Sequence, residues 1–173
     1  MGDRILYKAT RLDGTDFKTG TIDYAAALAS GQPVTWAMTG KKGHMIKNEP
    51  GTYFSLSSEP GEVLTGGQWP CRLFRVEAHG RTISHSQMAF KVCCHGLGVV
   101  EELPAHLALG PNGEECAAFI EEVRGWSAAW YAAGDAARAI IVRDLISADQ
   151  FIILSRPCQE FRRVMDEHMA GMS

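Results

Sequence analysis

The sequence predicts an α+β fold in one domain, with an antiparallel or mixed sheet from residues 1–103 packed by helices from residues 104–173. Three observations carry this reading. Short apolar runs of strand composition, broken by glycine-containing turns, fill the first part. Apolar residues at helical spacing, preceded by capping sequences, fill the second. The two patterns are segregated rather than alternating, and no Pro/Ser-rich linker divides them. With 173 residues, 46% of them hydrophobic and 21% charged, the chain can bury a core without disulfides.

Within the first part, ILYKATR (residues 5–11) has strand composition, and Asp13-Gly14-Thr15 turns the chain into the short segment DFKTG. DYAAALASG reads as a brief helix, with Asp23 as N-cap and Gly31 as the left-handed closing residue. The glycines, charges and proline of residues 40–51 read as an exposed loop. TYFSLS is the next strand, followed by a turn or short helix whose first turn accepts Pro60. In CRLFRVEAHG the apolar Cys71, Leu73, Phe74 and Val76 are set against Arg72, Arg75 and Glu77. That is a half-buried strand ended by His79-Gly80. MAFKVCC and GVVEEL read as two further strands, separated by Gly96 and Gly98.

In the second part, Pro104 opens a short helix that Gly110 closes. Asn112 and Glu115 have the form of a capping box, ahead of a helix with Cys116, Phe119, Ile120 and Val123 on one face. The alanine-rich stretch from Trp126 to Ile146 puts Trp126, Trp130, Ala133, Ala137, Ile141 and Leu145 on one stripe. Asp135 and Arg138 interrupt it, which argues against a membrane span. Its small side chains predict a helix lying close against the sheet or a neighbouring helix. Ser147 and Gln150 form a second capping box, whose helix Pro157 ends, and CQEFRRVMDEHM forms a last amphipathic helix.

Charge and cysteine usage restrict the function. A net charge of -3, with basic residues clustered no further than Lys41, Lys42 and Lys47, lacks the basic stripe of a nucleic-acid binder. The five cysteines are odd in number and form no CxxC, and the N-terminus has no apolar signal segment, which points to free thiols in the cytoplasm. Cys93 and Cys94 are neighbours on a strand and face opposite ways, so no metal site is expected there. The six histidines lack HExxH spacing, and no GxSxG or phosphate-binding glycine loop occurs.

Five phrases in fixed order carry a resemblance: LYKATRLDGTDFKTGTIDYAAALASG, TYFSLS, WPCRLFRVE, VVEELPAHLALGP and DAARAIIVRDLIS. Together they resemble an uncharacterised family encoded by actinobacterial phages and prophages, whose members carry tracts rich in Ala-Ala with Arg, Tyr, Trp or Asp. The resemblance implies a phage-type accessory protein acting in the host cytoplasm. Its expected partner is a protein, with no nucleic acid or membrane, and it is a candidate homo-oligomer.

A second, local resemblance is to ADP-ribosyltransferase-like folds. LYKATR is similar to their first, NAD-holding strand, and TYFSLS to the later Ser-x-Ser strand. It implies NAD as cofactor, with Lys8 where a His or Arg is usual, Tyr53 stacking on the ligand, and Ser55 and Ser57 supporting the nicotinamide ribose. The polarising glutamate would be Glu77, with Glu101 and Glu102 as alternatives, although no ExE motif is present. The sequence thus leads to a binding protein without cofactor. The alternative is an ADP-ribosyltransferase-like enzyme, or an inactive relative that still holds NAD or another nucleotide.

Overall fold

The two capping residues named for the first helix do what their chemistry allows. Asp23 accepts from the Ala26 amide at 2.8 Å, and Gly31 closes helix α1 (Tyr24–Ser30) at φ 65°. A computed structural model describes residues 5–36, 53–85, 88–124 and 130–170. The chain divides into two compact units, residues 1–108 and 109–173. The fold is α+β, with an antiparallel sheet in the first unit and the longer helices in the second.

Among the described residues the sheet holds five strands: β1 (Ile5–Thr10), β2 (Val34–Thr35), β3 (Phe54–Ser57), β4 (Arg72–Ser84) and β5 (Lys91–Leu103). β1 lies between β3 and β4, β3 also pairs with β5, and β5 pairs with β4, so these four strands close into a ring. β2 is added outside, on β5. Closure needs bent strands. Register shifts at Arg75/Val76 and His79/Thr82, the second at Gly80 with φ 75°, supply the bend in the β4–β5 hairpin. His79-Gly80 therefore marks a bulge inside a 13-residue strand and does not end it. Nor do the glycines split β5, which runs unbroken through Gly96 and Gly98. A Cβ on Gly98 would lie 3.2 Å from the His79 ring, so the glycine makes room for a cross-strand neighbour.

Both faces of β4 are covered. Phe74 and Val76 belong to a core with Leu6, Leu56, Val92 and Leu97, onto which Ala25, Ala27 and Leu28 of α1 pack. Leu73 and Cys71 join a second core with Ala9, Val63 and Ala108. Leu73 and Phe74 are adjacent and both fully buried for this reason. Pro60 opens a 3-10 turn (Pro60–Gly66), and Ala105–Leu109 forms another, closed by Gly110 at φ 87°.

The second unit packs α3 (Trp130–Ile141) against α2 (Gly113–Val123) and α4 (Ala148–Ala170). The Cys116 thiol reaches the Ala137 carbonyl at 3.6 Å, a close approach that small side chains permit. The buried residues of α3 include Ala136, Ala139 and Ile140, so its inner stripe is displaced by one position from the expected one. Leu145 is 85% exposed, in a 3-10 turn (Arg143–Leu145) beyond the helix end. Trp126, residues 40–51, and the side chains of Trp130, Ala133, Met165 and His168 lie outside the described residues.

Of the two expected capping boxes, one forms. Ser147 N donates to Gln150 Oε1 at 2.9 Å, and Gln150 N donates to Ser147 Oγ at 3.2 Å. Asn112 makes no cap bond. It accepts from Arg143 and donates to Asp144, each at 3.0 Å, while Arg143 also engages Glu115. Pro157 does not end its helix, because α4 continues through it. The residue whose carbonyl loses its donor, Ile153, is 64% exposed, so water can replace the missing N–H. Among the described residues, no helix is long and apolar enough to cross a membrane.

Candidate functional site

Three strands meet in one row at Ser57, which pairs with Tyr7 of β1 on one side and Lys91 of β5 on the other. Side chains opposite one another in antiparallel strands share a face. Lys91, a residue 7% exposed, accordingly donates from its ammonium to Ser57 Oγ at 2.8 Å, and to the Glu62 carbonyl at 3.3 Å. Beside this row opens a cavity of about 430 Å³, entirely within the first unit.

Four of the residues singled out by sequence, Lys8, Tyr53, Ser55 and Ser57, line that one cavity. Lys8 Nζ donates to the Ser55 carbonyl at 3.4 Å and stands 5.8 Å from the centre of the Tyr24 ring. Tyr53, 8% exposed, is hydrogen-bonded to the Cys93 thiol. The glutamates are placed elsewhere. Glu77 pairs across the sheet with Ile5 and Gly98 and is not among the described residues that line the cavity. Glu101 and Glu102 are held by Arg75 at 2.9 Å and Arg72 at 2.7 Å.

The cavity's acid is Asp16, and its oxygens are already occupied. Oδ1 accepts from the amides of Lys18 and Thr19, and Oδ2 from the Thr19 hydroxyl and the amides of Thr21 and Ile22. Desolvation pushes this carboxyl up, but the Thr19 and Ile22 hydrogen bonds outweigh it and hold the group below the usual carboxylate range. Asp16 thus fastens its own loop and offers Lys8 field rather than contact. Burial lowers Lys8 despite that field. Burial, and then repulsion from Lys8, brings Lys91 down to about 8.

The site is therefore two desolvated amines, with exposed Lys18 at hand, facing serine and threonine hydroxyls and aromatic walls that include Tyr24, Trp36 and Tyr53. Lys91 was not legible in the sequence. It sits 34 positions from Ser57, and only strand pairing joins them. Elsewhere, Cys93 and Cys94 are both buried, Cys94 in the core and Cys93 against Tyr53. No group of His, Cys, Asp or Glu able to hold a metal occurs among the described residues. Compared with protein-family models, curated proteins and solved structures, the chain matches none of them.

Proposed function

We propose that the first unit is a binding module for a small anionic ligand carrying a planar ring, of the nucleotide class. One observation carries this: Lys8 and Lys91 share an aromatic-walled cavity whose one acid, among the described lining residues, is spent on its own loop. Buried ammonium groups without a carboxylate partner are costly, and a phosphate between them would relieve that cost. A volume of about 430 Å³ lies in the range of small-molecule sites. Because no glutamate lines the cavity among the described residues, the reading is binding without ADP-ribosyl transfer.

Thermal unfolding with millimolar ADP, NAD, adenosine or phosphate tests this. A ligand at 100 times its Kd adds about 2.7 kcal/mol of stability, so a nucleotide that binds gives a readable rise in Tm. ADP and NAD are expected to raise Tm more than adenosine does, and Lys8→Met and Tyr53→Ala to abolish the rise. No nicotinamide should be released from NAD. An unchanged Tm with every nucleotide would remove the proposal.

The second reading is a protein partner in the setting of a phage-type accessory protein of the host cytoplasm. It is favoured by Leu145, Ile152 and Ile153, exposed at 85%, 48% and 64%. Five buried, unpaired thiols support a reducing compartment. Affinity purification from host cells, with wild type and Ile153→Glu side by side, tests it. A stoichiometric protein lost in the variant supports the reading, and recovery of none sinks it. Light scattering on the same samples reports whether that protein is a second copy.

A further inference from the structure

We propose that Lys91 is a nucleophilic amine that condenses with the carbonyl of an anionic aldehyde or ketone held in the cavity, forming a Schiff base. The placement of its amine is unusual for lysine. Lys91 is 7% exposed, lines the cavity, and is held by a hydroxyl and a main-chain carbonyl. Among the described residues no carboxylate lies within ion-pair distance of it. The groups acting on it are Lys8, which disfavours its charge, and Glu62 and Cys93, which favour it. A lysine desolvated next to another cation is the arrangement that exposes a free amine near neutral pH. At pH 7 a group titrating near 8 has a neutral fraction on the order of a hundred-fold larger than an ordinary lysine.

The chemistry balances with the groups present. The Nζ lone pair attacks the carbonyl carbon, and the displaced C=O pair takes a proton at oxygen to give a carbinolamine. Nitrogen gives up a proton, the hydroxyl leaves as water, and the C=N bond forms, so amine plus carbonyl yields imine plus water. Ser57 Oγ, at 2.8 Å from Nζ, is placed to relay the proton from nitrogen towards oxygen. Lys8 and Lys18 supply the attraction for the anionic end of the ligand. Delivery of the carbonyl therefore rests on the anion-binding reading above, whereas the reactivity of the amine does not.

The test uses the full chain, pyridoxal 5′-phosphate and, separately, pyridoxal, with borohydride to reduce any imine to a stable amine. Peptide mapping then locates the label. Lys91 is expected to be labelled at least ten-fold faster than exposed Lys18 at pH 7.5, with a rate that rises through pH 8. Ser57→Ala should slow labelling several-fold. Lys8→Met should move the pH midpoint upward, since a repelling charge is gone. Faster labelling by the phosphate form supports both readings. Equal labelling of Lys91 by both aldehydes, with no nucleotide effect on Tm, supports the reactive amine but overturns the anionic character of its ligand together with the anion-binding reading. Label confined to Lys18 and other exposed lysines, or a Lys91 rate rising only near pH 10, overturns it. Mapping on wild type needs no variant to fold.

Discussion

Thr19 grips Asp16 twice, its hydroxyl donating to Oδ2 and its amide to Oδ1, each at 2.6 Å. The pair knots residues 16–22 into the wall beside Lys8. Asp16→Asn replaces an acceptor of five donors by a group with one acceptor oxygen, and should cost about 1–3 kcal/mol by denaturant unfolding. The pH dependence has a definite sign. A carboxyl held below its ordinary value stabilises the fold above the unfolded pKa of 3.8, and that contribution fades as pH falls through the folded value. Wild type should therefore lose more stability than Asp16→Asn on acidification below pH 4. Parallel curves would show that the knot contributes nothing through charge.

Gly14 has φ 89°, and a Cβ there would lie 2.6 Å from that of Ala25. Both features oppose a side chain: the Arg72 guanidinium at 3.1 Å can swing away, but the Ala25 Cβ is fixed to the helix backbone and cannot. Gly14→Ala should destabilise the protein by about 1–3 kcal/mol, measured by thermal unfolding. Gly31→Ala is the control. It has a similar φ of 65° but nothing within 4 Å, so it should cost less. Equal losses would mean that backbone strain alone decides.

Pro157 lies inside α4, on its exposed face, and removes one donor from the helix ladder. Replacing it by alanine restores an N–H donor for Ile153 and a good helix former. Pro157→Ala should stabilise the second unit by about 1–3 kcal/mol. Hydrogen exchange within residues 148–170 reads this directly, and faster exchange in the variant would contradict it.

The folded value of Lys91 near 8 stands against an ordinary 10.5. Between these two pH values the unfolded chain binds more protons, so this residue's contribution to stability rises with pH across that window. The full span corresponds to about 3 kcal/mol. The buried thiols, all raised by burial, act in the opposite direction. The quantity to follow is therefore the stability of wild type minus that of Lys91→Met, which should grow from pH 8 to 10.5. A flat difference would mean that Lys91 titrates as it does in water.

Local chemistry was readable wherever it stayed local. Asp23 and Gly31, Asp13 and Thr15, and the reciprocal Ser147–Gln150 bonds follow from short-range patterns. The Ser55-x-Ser57 pattern likewise pointed to two residues that both line the cavity. Misreadings arose where a distant residue decided. Asn112 and Glu115 have a capping sequence, yet Arg143 draws both side chains away. Gly96 and Gly98 read as a break because glycine looks the same at a turn and at a close approach. The presence of His79 across the hairpin cannot be inferred from their spacing. Lys91 was missed for the same reason, since a lone lysine between two apolar stretches carries no mark of the serine opposite it.

Closure of the sheet has a consequence for how the chain behaves in company. Among the described residues, each strand of the ring has a neighbour on both sides over at least part of its length, and the appended β2 is two residues long. Strands left unflanked invite foreign chains to zip on and seed aggregates. A sheet so largely self-satisfied gives intruders little main chain to copy.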